Sequence, residues 1–155
     1  DRDELWNALN DDRIDIIATD HAPHTLEEKS QVYTKAPSGG PMVQHALPVM
    51  LDCVQQGKIT LEKVVEKMCH NPAILFDIEH RGYIREGYFA DLVLVDTNQS
   101  QTVTRDNVLY KCGWSPLEGT TLKGTVTHTI INGEILYNQG VFASTAKAKQ
   151  LTFVR

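Results

Sequence analysis

Apolar residues recur at helical spacing near the start of the chain and then give way to a short apolar run. Leu5, Trp6 and Leu9 lie among acidic side chains, which predicts an amphipathic helix. Residues 14–18 follow after a polar break and form an apolar run with a β-branched core, which predicts a buried strand. The order of helix, short loop and strand indicates an αβ unit.

Three further helices are predicted after a long polar loop over residues 25–41. The first covers residues 43–54, with Pro48 kinking it or lying near its first turn. Thr60 is placed to cap the second helix, whose buried stripe begins at Leu61. Asn71 and Pro72 are typical of the N-cap and first position of a short third helix over residues 73–76.

From residue 81 the apolar pattern changes to a period of two, which indicates strands. The predicted strands cover residues 91–96, 124–131 and 134–137, and Asn132-Gly133 between the last two predicts a tight hairpin. We therefore predict a helical αβ part over residues 1–79 and a β part with a polar surface tail over residues 80–155. The tail proper is expected at residues 143–150.

Composition and charge exclude several classes of protein. With 41% apolar and 23% charged residues the chain is typical of a globular protein, and no apolar run approaches the roughly 18 residues of a membrane helix. The net charge of -5 argues against nucleic acid as a partner. Three widely spaced cysteines favour a reducing compartment, so we expect the cytoplasm. Because the chain starts without Met inside a predicted helix, we expect it to be the later part of something longer.

The candidate chemistry lies directly after the first predicted strand, in Asp20-His21-Ala22-Pro23-His24. Pro23 prevents a regular helix here, so an irregular loop must hold the carboxylate and the two imidazoles. Loops at the carboxyl ends of parallel strands carry the chemistry of α/β folds. On the residues alone, Asp20 could equally cap a turn, as Asp often does. His21 is expected to orient the loop.

Several short motifs along the chain occur together, namely residues 18–25, Glu28-Lys29, Lys35-Ala36-Pro37 with Gly39, Asn71-Pro72-Ala73, residues 87–93 and Trp114-Ser115-Pro116. Together they resemble the C-terminal third of a dihydroorotase, a member of the amidohydrolase superfamily. The Asp-His-Ala-Pro-His run is fairly specific to dihydroorotases, whereas the Gly-x-x-Ala-Asp-Leu-Val signature is shared with hydantoinases and allantoinases.

The resemblance implies an α/β fold, namely the last strand and following helices of a (β/α)8 TIM barrel plus the C-terminal strands of a small β-sandwich. It implies a cytoplasmic enzyme with one or two zinc ions that interconverts N-carbamoyl-L-aspartate and L-dihydroorotate in pyrimidine biosynthesis. Asp20 matches a zinc ligand that also shuttles the proton, and His24 matches the ligand of the substrate carboxylate. Ser38 and Gly39 match loop positions whose backbone contacts the substrate ring.

The implied partners are a small-molecule substrate and either a second copy in a homodimer or another enzyme of the pathway, with no nucleic acid and no membrane. The family's other metal ligands lie upstream of this chain, so we expect the fragment to be inactive alone. An incomplete barrel sheet also has unpaired strand edges. We therefore expect the fragment to associate, to swap domains or to depend on the missing N-terminal part. Met42 and Gln44 replace a Gly and a Glu of the family.

Two alternatives remain open. One is a hydantoinase or allantoinase. The other is a non-catalytic dihydroorotase-like subunit that stabilises a partner such as aspartate transcarbamoylase. The remaining histidines are expected to be structural, and Cys69-His70 is expected to be the buried end of a helix; these histidines are His45, His70, His80 and His128.

Overall fold

The computed structural model of the protein describes residues 1–145 and 148–154. The α-helices are α1 (Arg2–Asn10), α2 (Leu26–Lys29), α3 (Ala46–Gln55), α4 (Leu61–Val65) and α5 (Asn71–Leu75). A π-helix (Glu66–His70) lies between α4 and α5, and a 3-10 helix covers Arg105–Asn107. The strands are β1 (Leu92–Thr102), β2 (Thr121–Ile131), β3 (Glu134–Asn138) and β4 (Val141–Phe142).

The chain folds into two compact units. The first contains Asp1–Ile17, Cys53–Asp96 and Val126–Arg155, and the second contains Ala18–Asp52 and Thr97–Thr125. The whole of the candidate chemistry therefore belongs to the second unit. None of the helices in the described ranges has the length and apolar character needed to span a lipid bilayer.

The helices of the first unit confirm most of the sequence prediction. The hydroxyl of Thr60 accepts a hydrogen bond from the backbone N–H of Lys63, so Thr60 caps α4 as expected. Asn71 is a different case, because it is the first residue of α5 and His70 is the N-cap. The expectation of a buried helix end is wrong for Cys69, which is exposed within the π-helix.

Residues 14–18 form no strand in the structure, contrary to the prediction. The carbonyl of Asp15 accepts from the side-chain amide of Asn71 at 2.8 Å, and the N–H of Ile17 donates to the carbonyl of Lys67 at 3.2 Å. Lys67 belongs to the π-helix, whose i→i+5 pattern differs from the α-helical ladder. Two backbone groups of this segment are thus bonded to helical residues, and a β-ladder needs a neighbouring strand.

The strands form one four-stranded sheet in the order β1-β2-β3-β4 within the described residues. Strands β2 and β3 pair antiparallel with Ile131 opposite Glu134, and the turn between them has φ +52° at Asn132 and +84° at Gly133. This confirms the predicted hairpin, because two-residue hairpin turns of this type need positive φ at both positions.

The expected surface tail at residues 143–150 lies partly outside the described residues, namely at 146 and 147. Further on, the chain pairs with the segment that follows α5. The N–H of Glu79 donates to the carbonyl of Thr152, and the N–H of Val154 donates to the carbonyl of Asp77.

The apolar core of the second unit includes a residue of α3. Leu51 is 2% exposed and lies against Gly124, where a Cβ would come within 2.5 Å of the Cβ of Leu51. Val103, Tyr110 and Leu122 are also buried. Pro48 lies in the first turn of α3, where the absence of an N–H costs no helical hydrogen bond, which confirms one of the two predicted positions.

Candidate active site

Asp20 has a left-handed backbone conformation with φ +44°, and its side chain is exposed. Non-glycine residues rarely adopt this conformation, but Asp and Asn are several-fold enriched in it. Five other non-glycine residues of the described chain also have positive φ, so this conformation by itself assigns no function to Asp20.

His21 fixes the loop that follows it to a second segment of the chain. Its Nδ1 accepts hydrogen bonds from the backbone N–H groups of Met42 at 3.0 Å and Val43 at 3.3 Å. The N–H of Ala22 donates to the carbonyl of Gly40 at 3.1 Å, and His21 and Gly40 form a parallel bridge. His21 therefore orients the loop, as the sequence predicted.

Gly39 allows the two segments to approach closely. Its φ is +80°, and a Cβ built at this position would lie 2.7 Å from the Cβ of Ala22. Real Cβ atoms do not come so close, so both the conformation and the packing require glycine here. Ser38, the residue before it, is exposed.

His24 is partly exposed, with 37% of its side chain accessible, and its Nδ1 lies 3.9 Å from Oε2 of Glu28. The backbone carbonyl of His24 accepts a hydrogen bond from the indole N–H of Trp114 at 2.8 Å. Among the described residues its Nε2 has no hydrogen-bond partner, so this nitrogen can face a ligand.

A capping box holds Glu28 in place. Its carboxylate accepts from the backbone N–H of Thr25 at 2.7 Å and from the hydroxyl of Thr25 at 3.0 Å. The backbone N–H, followed by the hydroxyl, lowers the pKa of Glu28 below its usual value. The carboxylate next to His24 is thus negatively charged at neutral pH.

Lys29 was part of a sequence motif, but the sequence assigned it no role. Its ammonium group donates to the carbonyl of Pro37 at 2.7 Å and to the carbonyl of Gly39 at 2.9 Å. These carbonyls belong to the residues on either side of Ser38. Lys29 therefore holds Ser38 and Gly39, the loop residues that match substrate-contacting positions in the resemblance.

Behind the loop lies a buried polar network that sequence reasoning also missed. The hydroxyl of Tyr110 accepts from the N–H of Gln44 at 3.1 Å and lies 3.0 Å from Nδ1 of His45. Burial lowers the pKa of His45 and raises that of Tyr110, so both groups are held neutral. His45 is therefore structural, as expected.

Gln44 extends this network to the following loop. Its amide nitrogen donates to the carbonyl of Asn107 at 2.8 Å, and its amide oxygen accepts from the N–H of Leu109 at 2.8 Å. A glutamine can make both bonds at once because its amide has a donor and an acceptor, whereas a carboxylate has no donor.

The second unit brings His21 and Ala22 together with residues 39–43, while Asp20, His24 and Ser38 flank this contact. No group of three or more His, Cys, Asp or Glu side chains in the described ranges could hold a metal ion. Zinc takes at least three protein ligands even in catalytic sites. Asp20 could supply one, so the described residues by themselves do not fit a zinc site.

Comparison with known proteins shows the family of this chain. The family model described as "Amidohydrolase family" matches residues 1–136, which is most of the chain. The chain belongs to the amidohydrolase family. This amidohydrolase is 42% identical over 139 residues to the dihydroorotase of Pyrococcus furiosus, a match that covers 90% of the chain and 32% of the relative. It is 39% identical over 142 residues to the multifunctional protein pyr1-3 of Dictyostelium discoideum, covering 90% of the chain and 6% of that protein.

Solved structures confirm the expected fold class. The L-hydantoinase (dihydropyrimidinase) of Arthrobacter aurescens superposes with a TM-score of 0.82 at 29% identity, over 90% of the chain and 32% of that structure. The D-hydantoinase (dihydropyrimidinase) of a Thermus species gives a TM-score of 0.84 at 26% identity, over 92% and 32%. The chain thus has the architecture of part of the amidohydrolase fold and spans about a third of the length of the dihydroorotase and of the hydantoinases that it matches.

Proposed function

We propose that this chain is part of a dihydroorotase that interconverts N-carbamoyl-L-aspartate and L-dihydroorotate. The observation that carries the proposal is the arrangement of the Asp-His-Ala-Pro-His motif, in which Asp20 is exposed and the adjacent His21 is bonded to the loop that contains Gly39. The 42% identity to a dihydroorotase supports the choice of substrate.

In this proposal Asp20 transfers the proton. During hydrolysis, water adds to the ring carbonyl carbon and the bond from that carbon to the ring nitrogen breaks. The leaving nitrogen takes a proton from Asp20, and a proton from the attacking water returns to the carboxylate. In the reverse direction the ureido nitrogen attacks the carboxyl carbon and water leaves. An exposed carboxylate can serve both directions as general base and general acid.

His24 binds the substrate carboxylate in this proposal. Its Nδ1 lies 3.9 Å from the Glu28 carboxylate, and its Nε2 can donate a hydrogen bond to an anion. The backbone of Ser38 and Gly39 contacts the ring in this proposal, and glycine at position 39 lets this loop lie close against Ala22.

Zinc enters the proposal only through Asp20, as one ligand. Since the described residues contain no further cluster of ligands, we expect the 155-residue chain by itself to lack hydrolase activity. We further propose that it works within a larger assembly, either a homodimer or a complex with another pyrimidine-pathway enzyme. The similarity to a multifunctional protein supports the second form.

A hydantoinase is the second candidate, because the superposed structures are hydantoinases. The two substrates differ where His24 acts, since dihydroorotate carries a carboxylate on its ring and hydantoin does not. A histidine placed for an anion favours dihydroorotate.

Steady-state kinetics of the full-length gene product with dihydroorotate and with hydantoin test the proposal. We expect turnover of dihydroorotate to dominate. His24→Ala should raise KM for dihydroorotate by about 10- to 100-fold, because a hydrogen bond to a charged group contributes about 1.5–3 kcal/mol. His128→Ala, in strand β2, is the control. Preferred turnover of hydantoin, or an unchanged KM in His24→Ala, would contradict the assignment.

A further inference from the structure

We propose that Lys29 is a positioning residue that holds the substrate loop, residues 37–40, in the conformation that binds the ring. This inference rests on the proposed function, since it explains how the backbone of Ser38 and Gly39 is presented. It concerns a residue that makes no contact with the substrate itself.

The two bonds of Lys29 fix the direction of a backbone donor. The ammonium accepts no bond and donates to the carbonyls of Pro37 and Gly39 at 2.7 and 2.9 Å. All peptide bonds in the described residues are trans, so the N–H of Ser38 points away from the carbonyl of Pro37 and hence away from Lys29. That N–H has no acceptor within the described part of the chain. The bond from Lys29 to the carbonyl of Pro37 therefore directs this unpaired donor away from the lysine.

Helix α2 connects the two hydrogen bonds of Lys29 to His24. The helix has only four residues, far too few to be stable on its own. The capping box of Thr25 and Glu28 fixes its start, and Lys29 is its last residue. Glu28 lies 3.9 Å from the imidazole of His24, while Lys29 binds the loop. One short helix thus sets the spacing between the two proposed contacts with the substrate.

Lys35 is the matched control, because it belongs to the same loop region and carries the same charge. Its side chain is exposed and has no hydrogen bond or ion pair among the residues that the structure describes. Lys29 is less exposed and uses its ammonium on two carbonyls. Comparing removal of the charge at Lys29 with its removal at Lys35 therefore distinguishes the loss of the two Lys29 hydrogen bonds from a general effect of charge.

The experiment compares Lys29→Met, Lys35→Met and Lys29→Arg in the full-length gene product. We expect Lys29→Met to raise KM for dihydroorotate about tenfold with kcat changed less than about twofold, since charge-assisted bonds are about twice as strong as neutral ones. Backbone amide exchange at Ala22, whose N–H donates to the carbonyl of Gly40, and at Ala36 should accelerate in Lys29→Met alone. Lys29→Arg should recover most of the loss, because a guanidinium can donate to both carbonyls.

Two outcomes overturn the inference. One is equal KM and equal exchange in Lys29→Met and Lys35→Met. The other is a fall in the melting temperature of Lys29→Met so large that unfolding at the assay temperature explains its whole change in activity. If the wild-type protein turns over no dihydroorotate, the proposed function fails instead, and the amide exchange still decides whether Lys29 orders the loop.

Discussion

Replacing Gly39 by Ala should damage the candidate site through one identifiable contact. The substitution adds a single methyl group at a position with φ +80°, where the new Cβ would lie 2.7 Å from the Cβ of Ala22. Carbon atoms prefer a separation of about 3.5–4.0 Å, so the two segments must move apart by roughly 0.8 Å or more. Ala22 follows the catalytic candidate by two residues, so this movement reaches the proposed site.

The size of the effect has two parts. The left-handed conformation costs an Ala about 1–2 kcal/mol. Overpacking at the contact costs about 1–3 kcal/mol more. A protein with an unfolding free energy of about 5–15 kcal/mol survives this loss, so Gly39→Ala should fold.

Gly119→Ala separates the two parts. Gly119 has φ +85° in the same unit, but a Cβ there would meet no atom within 4 Å. Its substitution therefore carries the conformational cost without the collision. The free energy of unfolding, measured by urea titration, should fall by about 1–3 kcal/mol more for Gly39→Ala than for Gly119→Ala.

The double variant Ala22→Gly with Gly39→Ala removes the collision while keeping the conformational strain. We expect a favourable coupling between the two substitutions in the double-mutant cycle. Equal destabilisation of Gly39→Ala and Gly119→Ala, with no coupling to Ala22, would refute the close approach of the two segments.

Two further predictions concern buried charge. Because burial lowers the pKa of His45, the unfolded chain binds its proton more readily; the contribution of neutral His45 is complete above the unfolded pKa of about 6.5 and is lost as the pH falls. The urea midpoint of the wild type should be lower below about pH 6.5 than above it, and the difference should be smaller in His45→Gln. Equal differences in the two proteins would contradict the prediction. Lys67 is 1% exposed and its ammonium lies 2.9 Å from Asp12, so Asp12→Asn, which leaves that charge unpaired, should lower the melting temperature more than Lys67→Met does; the reverse order would refute this.

Local signals in the sequence predicted the elements whose cause is itself local. Thr60 caps α4 because its hydroxyl reaches an N–H three residues away. Asn132-Gly133 forms the hairpin because both residues tolerate positive φ. Strand β1 extends to Thr102, well beyond the predicted end at residue 96, because pairing and not apolar alternation maintains its polar second half.

Contacts between distant residues could not be predicted from one sequence. Gln44 and Tyr110 are 66 positions apart, and no periodicity connects them. Lys29 looks like an ordinary exposed lysine until the loop brings two carbonyls to its ammonium. The strand expected at residues 14–18 depended on neighbouring strands, whereas the described residues offer it the carbonyl of Lys67 instead.

The central claim is that Asp20 is the carboxylate that transfers the proton. Asp20→Asn removes the acid while keeping a residue that tolerates the left-handed conformation at φ +44°, so the backbone gains no strain. Asp15→Asn makes the same chemical change five residues earlier and is the control. In the full-length gene product, kcat for dihydroorotate should fall by about 100-fold or more in Asp20→Asn, at an unchanged melting temperature, and stay near wild type in Asp15→Asn. A kcat for Asp20→Asn close to that of Asp15→Asn would contradict the account.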